Sequence, residues 1–233
     1  MSNQLKTALD ALYAAGPGPA ATARAQQRLR RVLAAQASTA AQASTAAQVS
    51  TAAPAHPSAE VWYDILARSA IGPVFVGVTA RGLRAVRFGL SERQFVEALR
   101  RETHARPVRS AARAGAAARQ MGEYLAGRRT AFDLPVDLSA MTDFQQQVLQ
   151  AACRIPRGQV LTYSELARQI GRPKAARAVG QALGSNPVPI VVPCHRVLAA
   201  DGSLRGYSGG GGIATKERLL RLEGWQKAVG SRQ

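Results

Sequence analysis

SELARQIGRPKAARAVGQALGSNPVPIVVPCHRV, residues 164–197, contains the pattern from which the rest of the chain can be read. SELARQI reads as a short helix, capped by Ser164 and stopped at Gly171. Pro173 opens a second helix, KAARAVGQALGS, which ends before Asn186-Pro187. Two short helices joined by Gly-Arg-Pro make a helix-turn-helix geometry. The same segment carries Arg172, Lys174 and Arg177, which raises the expectation of contact with a polyanion. Ile190-Val191-Val192 then reads as a buried strand, and Pro193, which cannot extend a ladder, takes the chain out of the sheet. Cys194, His195 and Arg196 follow. A thiol beside an imidazole and a guanidinium can be activated as thiolate. Burial as a small core residue is the commoner fate of a free cysteine, and both readings stand on these three residues alone.

Working outward, Thr142-Asp143-Phe144-Gln145 is a capping box that opens a helix with Phe144, Val148, Leu149 and Ala152 on one face, closed by Pro156 and Gly158. Cys153 lies on that apolar-patterned helix and reads as core. On the other side, Asp201-Gly202 reads as a tight turn. Tyr207-Ser208 leads into Gly209–Gly212, a run that permits close backbone approach to a flat ligand. TKERLLRLEGW gives a C-terminal helix with Leu219, Leu220 and Leu222 toward the core. Glu223 sits at its end, where a carboxylate opposes the macrodipole and so calls for another role.

Residues 60–139 form a small α/β module. GPVFVGVTARGLRAVRFG reads as a β-hairpin, SERQFVEALRRE as a helix with a Ser N-cap, ARAGAAARQMGEYLAG as a helix ended by Gly127, and FDLPVDLS as a short extended segment. Residues 34–51 repeat AAQAST, AAQAST, AAQVST, with almost no large apolar side chains to offset the entropy of ordering. They read as a linker, with a fraying helix as the alternative, after one or two short helices in 1–33. The expected organisation is an extension over 1–57, an α/β module over 58–139 and a second domain over 140–227.

The 233 residues carry 31 Lys+Arg against 14 Asp+Glu, a formal charge of +17. That balance favours a polyanionic partner, although a solvated basic face would give the same count. Thirteen basic and five acidic residues fall within 140–233, the part that holds the helix pair. The two cysteines, with no short-spaced Cys/His cluster, disfavour a structural zinc site and a secreted disulfide framework. No apolar run is long enough to span a membrane, and the N-terminus lacks the basic and apolar regions of a signal peptide. A reducing cytoplasm is expected, with nucleoid association if the source is bacterial.

PRGQVLTYSELA, GRPKAARAVGQALGSNPVPIVVPCHRV, GYSGG and KERLLRLEG together closely resemble the O6-alkylguanine-DNA alkyltransferases, also called methylated-DNA–protein-cysteine methyltransferases. The Pro-Cys-His-Arg-Val box after Asn-Pro-Val-Pro-Ile is the most specific element. The likeness is closest from Pro156 to Gly224, looser through 60–155, and absent from 1–57. It implies an α/β fold: a ribonuclease-H-like N-terminal module and a mainly helical winged helix-turn-helix domain.

The resemblance implies a single, irreversible transfer of a methyl or larger alkyl group from guanine O6 in double-stranded DNA to Cys194, with thymine O4 as a second candidate. No cofactor and no metal are implied. His195 would take the thiol proton through a water, Glu223 would orient His195, and Asn186 would brace the turn. Tyr163 would hydrogen-bond the flipped base and protonate a ring nitrogen. Tyr207 would pack over the base, and Ser208 would donate to O6. The Cys194 and Val197 carbonyls would accept from the exocyclic amine, and Pro189 would line the alkyl pocket. Arg177 matches the residue that fills the space left by the extruded nucleotide. Ala175, Ala176, Ala178 and Gly180 would let the helix lie close in the minor groove. A monomer is expected, with cooperative assembly on DNA left open. The run Gly209–Gly212 is longer than the family pattern. Two readings compete: a non-catalytic alkyltransferase-like protein that binds damage, against which Pro193-Cys194-His195-Arg196 is intact, and a winged-helix regulator with Cys194 as a core thiol.

Overall fold

The computed structural model describes residues 60–207 and 209–226, with the backbone of Val49–Ser50. The expectations for Ser208, and for residues 1–57 other than that dipeptide, lie outside the described residues. The α/β class expected from the sequence is the class observed.

Strand alternation builds the first half. β2 (Glu60–Leu66), β3 (Val74–Thr79) and β4 (Gly82–Phe88) form an antiparallel meander. β5 (Arg106–Arg109) adds parallel to β2, and β6 (Val136–Asp137) adds parallel to β4. The backbone of β1 (Val49–Ser50) pairs parallel with β6, giving the order β1-β6-β4-β3-β2-β5. Part of the stretch read as a linker therefore has its backbone at a sheet edge.

Each sheet face has its own helix. Phe75 and Ala85 face α1 (Glu92–Thr103), where they pack with Phe95 and Leu99. Val74, Val76 and Val86 face α2 (Ala111–Leu125), with its Ala114, Ala117, Ala118 and Met121. Side chains alternate across a strand, so the apolar run of β3 serves both layers. The hairpin and both helices were legible; β2 and β5 were not predicted. β5 is a four-residue strand, Arg-Pro-Val-Arg, too polar for an alternation signal.

The second half is helical. Capping boxes start α3 (Asp143–Cys153) at Thr142 with Gln145, and α4 (Tyr163–Gln169) at Thr162 with Glu165. The expected cap at Ser164 is thus displaced by two residues, because Thr-x-x-Glu satisfies both first-turn donors. Residues 172–175 form a turn, and α5 (Ala176–Gly184) begins after it, later than the proline predicted. α6 (Gly212–Leu222) closes the fold.

Ile190-Val191-Val192 is not a strand. Val192 N–H donates to the Val188 carbonyl at 3.0 Å, and Pro189 and Val192 form a bridge, so the chain folds back on itself. Ile190 has φ of +78°, costly for a β-branched residue. Its side chain is 1% exposed, so packing holds the strained backbone in place. Burial and turn formation produce the same apolar triplet, which is why the sequence misled.

One apolar cluster runs from β3, β4 and α2 through Val136 and Leu138 into α3, α4, α5 and Leu219, across the boundary expected at 139/140. Val86 N–H donates to the Pro187 carbonyl at 2.9 Å, tying the sheet to the turn before Cys194. The glycine run makes a second tie. A Cβ on Gly210 would lie 2.0 Å from the Phe88 carbonyl oxygen, whereas one on Gly184 would meet nothing within 4 Å. Gly210→Ala should therefore lower stability by about 1–3 kcal/mol. Gly184→Ala, at the end of α5, should be neutral or raise it by up to about 1 kcal/mol. Urea midpoints that move equally for the two would contradict this packing.

Candidate active site

Two short strands place the reactive residues. β7 (Leu161–Thr162) pairs in parallel with β8 (Val197–Leu198), Leu161 opposite Val197 and Thr162 opposite Leu198. Tyr163 follows β7 directly, and Cys194–Arg196, a single 3-10 turn, precedes β8. The ladder thus brings the start of α4 beside the Pro-Cys-His-Arg turn. Asn186 braces the approach: its Nδ2 donates to the Val192 carbonyl at 2.9 Å, and its Oδ1 accepts from Val188 N–H at 3.0 Å.

Glu223 is the centre of the buried polar network. Its Oε1 pairs with His195 Nε2 at 2.7 Å and accepts from Arg196 Nη2 at 3.1 Å; its Oε2 accepts from Arg196 Nε at 2.8 Å. The Tyr124 hydroxyl, from α2, also donates to Oε1. The Glu223 side chain is fully buried, and burial alone would raise its pKa. The His195 and Arg196 partners outweigh burial and hold the carboxyl far below the usual range. An ionised carboxylate can only accept, so His195 Nε2 carries the proton. His195 Nδ1 is then a lone pair, buried and without a hydrogen-bond partner among the described residues. Burial lowers the His195 pKa, with Glu223 opposing it and Arg196 and Lys216 adding to it, so the ring is neutral at pH 7.

Cys194 is 7% exposed. Burial raises its thiol pKa; the Asn186 side chain, the Lys216 charge and the backbone N–H groups of Cys194 and His195 act the other way. The Arg196 guanidinium is turned to Glu223 and to the Ile155 carbonyl. Lys216 supplies a positive charge to the thiol. It is 0% exposed, donates from Nζ to the carbonyls of Val197 at 2.6 Å and Arg205 at 3.2 Å, and burial brings its pKa down to about 8. Lys216 was missed, though it lies three and four residues before Leu219 and Leu220, a core-facing spacing. Cys153 is inert by comparison: burial pushes its thiol up to about 12.

The other predicted residues are distributed as follows. Tyr163 donates from its hydroxyl to the Arg205 carbonyl at 3.1 Å, and its pKa is raised by burial and then by Cys194. Tyr207 is half-buried, with its hydroxyl buried and unpartnered among the described residues. Burial, then Cys194 and Tyr124, raise its pKa well above the phenol value. The Val197 carbonyl already accepts from Lys216 but keeps a second lone pair. Pro189 lines a cavity of about 340 Å³ with Asn186, Arg87, Phe88, Gly209 and Gly210; Cys194 is not among its walls. Arg177 is exposed on α5 and makes no hydrogen bond or ion pair among the described residues. Ala175, Ala176, Ala178 and Gly180 are half-buried around it, and a Cβ on Gly180 would lie 3.7 Å from the Tyr163 ring. No cluster of three or more metal-ligating side chains occurs among the described residues. No described helix is long and apolar enough to cross a membrane.

Residues 143–225 match the model of the 6-O-methylguanine DNA methyltransferase DNA-binding domain. A methylated-DNA–protein-cysteine methyltransferase of Methanosarcina barkeri is 40% identical over 163 residues, 70% of this chain and 97% of that protein. One from Mycobacterium tuberculosis is 55% identical over 104 residues, 45% of this chain; the match spans 61% of that relative's length. The crystal structure of the Mycobacterium tuberculosis O6-methylguanine methyltransferase aligns with a TM-score of 0.59 at 42% identity, over 72% of this chain and 96% of that one. A structure of Mycobacterium tuberculosis OGT in complex with DNA aligns at 0.56 and 41% identity, over 70% and 92%. The chain belongs to the methylated-DNA–protein-cysteine methyltransferase family.

Proposed function

We propose that this protein repairs double-stranded DNA by moving a methyl or larger alkyl group from guanine O6 onto Cys194, once per molecule. The observation that carries the reading is the unpaired lone pair of His195 Nδ1, held in the same turn as Cys194 by the bond from Nε2 to Glu223. An imidazole oriented by a carboxylate, with its second nitrogen free to accept, is a general base. Family membership and the DNA complex of the Mycobacterium tuberculosis relative support DNA as the partner.

In this mechanism the thiol proton passes through one water to His195 Nδ1, and the imidazolium is stabilised by Glu223. Lys216 favours the thiolate. Sulfur attacks the alkyl carbon in line, so an S–C bond forms as the C–O6 bond breaks. The electron pair stays on the guanine, and Tyr163 delivers a proton to a ring nitrogen. Ser208 donates to O6, Tyr207 packs against the base, and the Cys194 and Val197 carbonyls accept from the exocyclic amine. The thioether is stable, so one protein is consumed per lesion. The alkyl carbon of a stacked guanine is out of reach, and the nucleotide must be extruded at a cost of a few kcal/mol. Exposed Arg177, with no hydrogen bond or ion pair among the described residues, is suited to fill the gap, and the small residues beside it suit close approach in the minor groove.

Incubation with duplex DNA carrying O6-methylguanine should add the mass of one methyl group to Cys194, in a one-to-one ratio. Cys194→Ser should gain none while keeping its DNA affinity; retained transfer would move the acceptor elsewhere. Arg177→Ala should slow repair of duplex DNA by about tenfold or more, yet leave reaction with free O6-benzylguanine nearly unchanged. Equal slowing of both would remove the extrusion role. The pH profile follows from His195. Protonation removes the base, and its pKa lies below the ordinary value. The rate should hold through neutral pH and decline only below the ordinary imidazole range, about 6.5. A decline beginning above neutrality would contradict a depressed imidazole.

A further inference from the structure

The N-terminal module carries no nucleophile or base of the transfer reaction, yet one of its side chains enters the buried polar network. Tyr124, near the end of α2, is 1% exposed, and its ring lies tilted against Phe132 with 4.8 Å between centroids. Its hydroxyl donates to Glu223 Oε1, the same oxygen that pairs with His195 Nε2. We infer that Tyr124 is a positioning residue for transfer: its hydroxyl fixes the carboxylate of Glu223 and sets how strongly that carboxylate draws charge onto His195. This rests on the reading of Cys194 as acceptor and His195 as base.

Carboxylate geometry makes the case. With Arg196 Nε on Oε2 and Arg196 Nη2 on Oε1, the guanidinium grips both oxygens from one side. Oε1 must still be aimed at the imidazole, and it is the oxygen that Tyr124 meets. A phenol donor there disperses the negative charge that would otherwise stabilise imidazolium. The groups facing this pair come from every neighbouring element. They are Tyr124 from α2, His195 and Arg196 from the Cys194 turn, and Lys216 from α6. Tyr124 alone among them joins the N-terminal module to the carboxylate, and it does so as a neutral donor. Removing it leaves the charge count unchanged, frees a lone pair on Oε1 and takes a neutral neighbour from Arg196. Glu223 then becomes a better partner for imidazolium, and His195 protonates at higher pH.

The test uses the full chain, with transfer from free O6-benzylguanine measured against pH so that DNA binding does not enter. Tyr124→Phe should move the acid limb upward by about one unit, the scale of one hydrogen bond to a charged group. Phe132→Leu loosens the same packing without touching the carboxylate and should leave the limb in place. Biosynthetic 3-fluorotyrosine at position 124, a stronger donor of nearly the same shape, should move it downward; this holds even if Tyr124→Phe does not fold. NMR titration of the His195 ring protons reads the same shifts with no transfer. A protein that never alkylates thus sinks the transfer reading and leaves the positioning role on trial. If Tyr124→Phe and the fluorinated protein both titrate like the unaltered chain, the positioning role is wrong. If Phe132→Leu shifts as much as Tyr124→Phe, Tyr124 acts only through packing.

Discussion

A single buried carboxylate organises the reactive half of this protein. Glu223 collects donors from the Cys194 turn and from α2, and it stands at the end of α6, the last element. Removing one partner of a buried ion pair costs about 3–5 kcal/mol, because the other charge is stranded. Arg196 and Glu223 are thus bound to each other before either can serve chemistry. That constraint decides the rest: the guanidinium beside the thiol is committed, the imidazole has a fixed tautomer, and the thiol takes its positive neighbour from Lys216.

The turn ahead of Cys194 shows how the fold holds a costly backbone. Ile190 is at positive φ, and the Asn186 amide spans the turn on the inside. Packing over Ile190, Val191 and Val192 is close to complete. Such strain, of about 1–3 kcal/mol, persists only where the surroundings over-determine the conformation. Here they fix the direction in which the chain enters the 3-10 turn that presents Cys194 and His195.

Much of this was legible in the residues. Capping boxes, the β3–β4 hairpin, the helix pair and the apolar faces follow from local pattern, and local pattern is what sequence carries best. The unfavourable position of Glu223 at a helix C-terminus set it apart, and the carboxylate binds His195 and Arg196. What failed was long-range. Arg196 was read by its covalent neighbour, whereas its partners are Glu223 and the Ile155 carbonyl. Tyr124 drew no reading of its own on α2, since nothing nearby marks its hydroxyl as meeting residue 223. The triplet at 190–192 was read as a strand because buried turns and buried strands are equally apolar. The site residues on the Cys194 turn were readable in place; those that reach it from α2 and from inside α6 were not.

The β7–β8 ladder carries an implication for how such a molecule can vary. Its two rungs pin both ends of the chain from Tyr163 to Arg196, and α4 and α5 form an excursion between them. The outer surface of that excursion, such as the loop at Gly171, can change in composition or length while the rungs stay in register. Tyr163 and Cys194 would keep their spacing through such changes. The surface that meets the outside world and the chemistry behind it are mechanically separable, so each can drift under its own selection.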